Sequence, residues 1–484
     1  MRLPDSVRRV LLYLLRQDAA ARGQTDTARA ELEQVEPVCE FPSLPAALRG
    51  WLDEATAQMR WKRARPAAGR ELADHLREQY DACCDAGLDE DVAAQQTLRE
   101  MGDAVETGTR LDRAWRPRPD WVMLGIVLVL AAVGVAVQLV LRQPFCETMG
   151  RDLLHELALQ CGYYALGVAA LLAAYFLDYT VFGRHIRAVY ALWLGVGLFL
   201  LLNPWRAMIG GRVFYAAQWV WLFPPVFAGV VYDRRGRGTG GVLTCLLSPA
   251  GMWVLACGAP MMSALLVLTV VCCAVLCLAV RRGAFGAPTV GRTVLALSPV
   301  AAMAAGAAWL LLTMPHLRDR VAVILHPQID PQAAGWQGSM VQHLMFGAPF
   351  EGSAEGALFM QYDGVSDWLL TGAKMTWGWA AVFVLLAATV LLLAWGLRLA
   401  RRQNGLLARC LCLCIMLTFA AETALYVLAN CGIIVLLPQG LPLLSYGGLF
   451  RVQTMFLLGL VLSAQRSGAL ERGLQPRPRR VRAE

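Results

Sequence analysis

Asn430-Cys-Gly-Ile-Ile-Val-Leu-Leu-Pro-Gln-Gly-Leu-Pro-Leu-Leu-Ser-Tyr-Gly-Gly448 carries the break between two apolar runs, 408–436 and 449–465. Proline removes a backbone donor and glycine is permissive, so neither run can continue through it as regular helix. In a bilayer such broken backbone survives only where protein or water satisfies its freed N–H and C=O groups. The stretch therefore reads as a re-entrant outer turn between two membrane spans. Gly447 and Gly448 would open the second span with exposed N–H groups, which suits an anion.

Working outward, about 20 apolar residues cross a bilayer as a helix. On that measure the further spans fall near 121–141, 157–178, 188–204, 213–232, 242–258, 261–280, 293–314 and 374–397. With the two above, ten are expected, and the third to sixth are short or closely spaced. The composition agrees: 57% of the 484 residues are apolar and 17% charged, where a soluble domain carries about 25% charged. Charge is segregated. Residues 1–120 hold 18 Lys+Arg and 22 Asp+Glu, and the remainder holds 26 and 14. An acidic soluble head thus precedes a basic membrane body, which argues against nucleic acid as the partner of the +8 total and excludes a disordered chain.

Positive residues favour cytoplasmic loops. With head and tail inside, the inner loops and tail take 18 of the 26 membrane-part positives, from Arg184 and Arg187 through Arg234, Arg281 and Arg398 to Arg482. Both termini are therefore expected in the cytoplasm. Trp121, Trp205, Trp219, Trp368 and Trp377 lie near span ends, as interfacial aromatics do. One outer loop, 315–373, is far longer than the rest and holds His316, His326 and His343 with five acids from Asp330 to Asp367. Long loops of varied composition are usually functional.

Most of the fourteen cysteines lie in apolar runs and read as small hydrophobes. Cys410, Cys412 and Cys414 spread around a helix and do not converge on a metal. Cys146 and Cys161 could pair if both face an oxidising side. No cleavable leader is visible, because the apolar core between Arg9 and Arg16 is too short. That segment could instead rest on a membrane surface through Val10, Leu11, Leu14 and Leu15, or pack as an ordinary helix.

Four segments are expected: 1–60, a cytoplasmic helical stretch; 61–118, a small helical domain; 119–470, the membrane body; and 471–484, a basic tail. In the second, Glu71–Tyr80 shows a helical stripe, Gly87 fits a helix end, Asp89 opens another helix and Met101-Gly-Asp103 breaks it. With Leu76, Leu98 and Leu111, this pattern resembles the HAAS-type or permease prefix domain, which implies a docking or regulatory role. Within the spans, Glu422 and Arg451 are the polar candidates and could pair, as substrate contacts or as a structural ion pair. Gly236-Arg-Gly-Thr-Gly-Gly241 lacks the strand–turn–helix setting of a phosphate cradle.

The break at 430–448 resembles the N-x-G…LP-x-TG-x-PLP…SYGG signature of the SEDS proteins (shape, elongation, division and sporulation). His326-Pro-Gln-Ile-Asp330-Pro331-Gln332 with Gly335-Trp-Gln337 is similar to the family's NP…DP-x-x-x-GYQ, and Val365-Ser-Asp367-Trp-Leu-Leu resembles its HTDFIF. Ten spans with the long loop between the seventh and eighth also match. The resemblance implies an all-α polytopic protein of the bacterial cytoplasmic membrane that polymerises lipid II at the outer face. A class B penicillin-binding protein would be its partner, in elongation, division or sporulation. It places the essential acid at Asp367, as general base for the accepting hydroxyl. Ser366 or Asp367 would equally serve as N-cap of the eighth span. The leaving diphosphate needs positive charge or a divalent cation. Arg212, Arg318 and Arg320 are outer positives suited to it, or to interfacial anchoring. With Ser445, Gly447 and Gly448 they form the candidate substrate-binding set.

The chain also departs from the family pattern. QPSE is replaced by Tyr215-Ala-Ala-Gln218, PDLGTA by Pro260-Met-Met-Ser-Ala-Leu265, and the GEELG after HTDFIFAVI by Lys374-Met-Thr-Trp-Gly378. Such losses favour a rival, a catalytically inactive scaffold that positions a transpeptidase. A flippase for lipid-linked sugar is a second rival, but it needs a polar midplane path, and Glu422 is the only acid deep in a span. A sensor driven by the head is a third.

Overall fold

The computed structural model describes residues 44–468 apart from 118, 151, 204–207, 210–211, 334, 348, 352–367 and 435–439. Two compact units result, Met1–Arg116 and Pro117–Glu484.

In the first unit four helices form a small bundle: α1 (Ala46–Ala57), α2 (Arg65–Asp85), α3 (Glu90–Met101) and α4 (Ala104–Trp115). Leu48, Leu52 and Ala55 recur at helical spacing on α1 and meet Leu72, Ala73 and Leu76 of α2, closed by Ala94 and Ala104. The ends follow from single residues. Pro66 starts α2 where its missing N–H costs nothing. Gly87 takes φ +85 just after α2, and the Leu88 N–H returns to the Cys83 carbonyl at 3.3 Å. The Asp103 carboxylate accepts from the Glu106 N–H at 2.9 Å and caps α4. Trp51 ties α1 to the α3–α4 turn by donating from Nε1 to the Gly102 carbonyl at 2.9 Å. Helix α1 falls within the 1–60 stretch expected to be helical, and it packs into the same unit as α2 to α4. The surface segment at Arg9–Arg16 lies outside the described residues.

The second unit is a bundle of apolar helices. In chain order it holds α5 (Trp121–Met149), α6 (Leu153–Phe176), the short α7 (Val181–Arg184), α8 (Ile186–Leu202), α9 (Phe214–Val220), α10 (Phe223–Asp233), α11 (Gly238–Leu247), α12 (Ala250–Gly258), α13 (Met262–Arg281) and α14 (Val290–Thr313). After these come α15 (Pro315–Leu325) and α16 (Trp336–Gln342) in the outer loop, then α17 (Leu369–Trp377), α18 (Trp379–Arg402), α19 (Leu406–Asn430) and α20 (Gly448–Ser467). The described strands are two two-residue pieces, β1 (Met208–Ile209) and β2 (Arg212–Val213), paired antiparallel.

Among the described residues, nine helical stretches are long and apolar enough to cross a membrane, and α8 is a shorter apolar tenth. The ten expected spans each coincide with one of these. Two are broken inside: α9 and α10 meet at Trp221-Leu222, ahead of Pro224 and Pro225, and α11 and α12 meet at Ser248-Pro249. Proline accounts for both breaks, in the first turn of α10 and at the N-cap of α12. Two boundaries differ from expectation. The eighth span begins at Trp379, because α17 is a separate helix ended by Gly378 at φ +77. The ninth ends at Asn430, where Gly432 turns the chain at φ +66.

Helix α19 is the bundle's axis, buried along its length from Leu407 to Asn430. Helix α20 lies along α6, so close at Gly459 that a side chain would meet the Leu171 backbone. By contrast α14 buries only Ala296, which leaves an apolar helix for lipid to cover. Cys146 is buried and Cys161 exposed, and no disulfide joins the two, so the suggested pairing is not made.

Candidate functional site

Two polar constructions stand out in the membrane unit. The first is the turn of the opening sequence. Gly440 to Ser445 are buried, and Leu443 adopts φ +66, a left-handed conformation rare for a branched side chain. Backbone this irregular leaves carbonyls without helical partners, and the neighbouring spans supply them. Tyr164 Oη donates to the Leu443 carbonyl at 2.8 Å. Gln138 Nε2 donates to the Leu444 carbonyl. Arg451 Nη2 reaches the Ser445 carbonyl at 3.4 Å. The Ser445 hydroxyl in turn accepts from the Leu441 N–H at 2.8 Å, which closes the turn on itself.

Arg451 is 1% exposed. Its Nη1 donates to Gln160 Oε1 and its Nη2 to Gln138 Oε1, while the guanidinium stacks 4.1 Å above the Tyr164 ring. The planar fork suits two acceptors at once, which an ammonium could not match. A second arginine repeats the plan. Arg142 lies 3.5 Å from Glu156 Oε2 and 3.9 Å above the Tyr446 ring. Arg451 therefore makes no pair with Glu422, correcting that expectation. The glutamine amides of α5 and α6 take its two Nη groups instead, while Arg451 Nε and Glu422 Oε1 are each buried without a hydrogen-bond partner. Gln138 and Gln160 were missed, though as polar groups within apolar runs they carried the same signal as Glu422.

The second construction sits at the start of α17. Asp367 lies outside the described residues. The next residue, Trp368, is buried against Val341, Met345 and Ala429. The first N–H groups of α17 have no intrahelical acceptors, and one face of α19 provides them. Leu369 N–H donates to Tyr426 Oη at 2.9 Å. Thr371 N–H donates to Asn430 Oδ1 at 3.2 Å, and Asn430 is held by donating from Nδ2 to the Tyr426 carbonyl at 3.0 Å. Lys374 is fully buried; its ammonium donates to the Leu344 carbonyl at 2.8 Å, and burial holds it below the usual lysine value. Nothing in the local sequence marked Lys374 as buried. It clamps α17 to a π-helical turn, His343–Gly347, of the outer loop.

The rest of that loop is tightly folded. Gly335 N–H donates to the Asp330 carbonyl at 2.9 Å, and any Cβ at Gly335 would collide with the Pro327 carbonyl. Gln342 Nε2 donates to the Gly432 carbonyl at 2.9 Å, fastening the loop to the end of α19. The DP-x-x-x-GYQ-like and N-x-G-like segments, far apart in sequence, thus meet.

The remaining candidate residues are scattered. Arg318 and Arg320 are exposed on α15. Arg212 begins β2, and its side chain lies outside the described residues. Gly448 is pressed against the Tyr163 ring, where a side chain would clash, and Gly447 precedes it at φ +142. Gln218 stands where QPSE has its acid, with Oε1 buried and unpaired. Among the described residues no three His, Cys, Asp or Glu side chains gather as a metal set.

No family model matches the chain. It is similar to the probable peptidoglycan glycosyltransferase FtsW of Trichlorobacter lovleyi, 25% identical over 365 residues that cover 71% of this chain and 92% of that protein. Its fold is similar to a chain of a solved peptidoglycan synthase complex that coordinates polymerization and crosslinking. The TM-score is 0.53 and the identity 21%, covering 72% of this chain and 98% of that one. A looser likeness, TM-score 0.45 at 17% identity, covers 72% of this chain and 97% of the rod shape determining protein RodA of Thermus thermophilus.

Proposed function

We propose that this chain, a divergent member of the SEDS family, is a peptidoglycan glycosyltransferase that polymerises lipid II at the outer face of the bacterial cytoplasmic membrane. The observation that carries the reading is the likeness to a probable peptidoglycan glycosyltransferase over 92% of that protein's length. The tight joining of the outer loop to α17 and α19 supports it, because catalysis needs the reacting groups held in fixed geometry.

In this reading Asp367, one residue before the buried Trp368, takes the proton from the accepting sugar hydroxyl as that oxygen attacks the anomeric carbon. The bond to the polyprenyl diphosphate breaks, and the departing oxygens carry the negative charge away. Arg212, Arg318 and Arg320 would meet that charge, with Gly447 and Gly448 as backbone donors and Ser445 shaping the turn behind them. Both termini are cytoplasmic, which sets the 315–373 loop outside. A class B penicillin-binding protein crosslinks the strands alongside.

The scaffold reading keeps one specific observation in its favour: Gln218, an uncharged amide, stands at the acid position of QPSE. The deciding experiment incubates purified lipid II with the full chain in detergent, alone and with its transpeptidase. Glycan strands are expected with the pair. Folded protein that binds the transpeptidase and yields no strands would replace the polymerase with the scaffold.

A further inference from the structure

The face of the outer-loop helix turned away from Trp368 has a use of its own. Val341 and Met345 pack against Trp368. On the other side Ser339, Gln342, His343 and Phe346, joined by Gln328 and Ile433, line a cavity of about 380 Å³. That volume falls in the ~300–1,000 Å³ range of small-molecule sites. Its described lining holds two carboxamides, a hydroxyl, an imidazole and the thiol of Cys431, with no carboxylate, guanidinium or ammonium.

Two features give the cavity a chemical preference. Ser339 Oγ is buried without a hydrogen-bond partner, an uncompensated cost that a ligand could relieve. Gln342 spends its Nε2 on the Gly432 carbonyl, which fixes the amide and leaves Oε1 as an oriented acceptor. Beside these polar groups, Phe346 presents a ring that is 61% exposed, and Ile433 adds apolar surface. Uncharged donors and acceptors around one aromatic face complement a neutral pyranose, whose hydroxyls bond sideways and whose C–H face lies on the ring. A diphosphate would find no arginine or lysine among the described lining residues.

We infer that this cavity is a carbohydrate subsite that holds a neutral sugar of the glycan strand, one helix away from Trp368. The assignment deepens the glycosyltransferase reading and rests on it for the identity of the sugar, while binding itself needs no turnover. Gln328 and Phe346 are exposed, so Gln328→Leu leaves the buried framework intact, and Phe346→Ala gives up a single ring contact, to Trp379, which its thermal melt checks.

The probe is chitotetraose, titrated at millimolar concentration into the full chain in nanodiscs and followed by saturation-transfer NMR, with thermal melts confirming each variant's fold. Binding by wild type that weakens tenfold or more in both variants is the expected result. No binding by folded wild type, equal binding by the variants, or uptake of a stem pentapeptide in preference to the sugar would overturn the subsite. The two readings fail separately. Chitotetraose binding without strand synthesis keeps the subsite and removes the polymerase. Strand synthesis unchanged in rate and length by both variants keeps the polymerase and removes the subsite.

Discussion

Replacing Arg451 with methionine is a direct trial of how the irregular outer turn is held in a bilayer. Methionine is shorter and lacks the guanidinium plane, so the stacking on the Tyr164 ring is lost, and three acceptors lose their donor: Gln138 Oε1, Gln160 Oε1 and the Ser445 carbonyl. An unsatisfied buried polar group costs about 1–3 kcal/mol. Three such acceptors together amount to about 3–9 kcal/mol, and because the two glutamines can relax toward other partners the loss should fall near the lower end, about 3–5 kcal/mol. Arg451→Lys should recover only part, since one ammonium lacks the fork. Gln138→Leu, which also frees the Leu444 carbonyl, should cost about 1–3 kcal/mol alone and at least ~1 kcal/mol less on the Arg451→Met background. Chemical unfolding in mixed micelles measures the four variants against wild type. A loss below about 1 kcal/mol for Arg451→Met, or strict additivity with Gln138→Leu, would refute the network as the turn's support.

Two further outcomes follow from the outer loop. Gly335→Val places a side chain against the Pro327 and Asp330 carbonyls, so limited proteolysis within 315–350 should accelerate while the melting of the membrane helices stays close to wild type. Lys374 has a folded pKa lowered by burial against 10.5 in the ordinary state. The unfolded chain then binds the extra proton, so a penalty is present below the lowered pKa and is relieved as pH rises from it toward 10.5. Wild type should gain stability relative to Lys374→Met across that window, and parallel pH profiles would contradict the buried, desolvated ammonium.

How much of this was legible in the sequence depends on the range of the interaction. Span positions were readable because hydrocarbon thickness fixes the length of an apolar run, and Gly432 and the prolines mark breaks locally. The division of the fourth span at Trp221-Leu222 follows from Pro224 and Pro225, which the span-length measure alone ignores. Arg451 was conspicuous, but its acceptors lie 291 and 313 residues earlier in the chain, and no local pattern could choose them over Glu422. Lys374 was hidden for a similar reason: its partner carbonyl belongs to a π-helical turn 30 residues upstream. The outer motifs were found through resemblance. Their physical logic, Gly335 packed on a carbonyl and Asn430 receiving the first turn of α17, emerged only in three dimensions.

The central claim is that Asp367 supplies the base in lipid II polymerisation. Wild type and Asp367→Ala, each purified with the transpeptidase and shown to bind it equally, should be run side by side on labelled lipid II. Glycan strands from wild type and none from Asp367→Ala is the result expected here. Equal strand synthesis by both would contradict the assignment of the base, and no synthesis by either folded complex would contradict the polymerase itself.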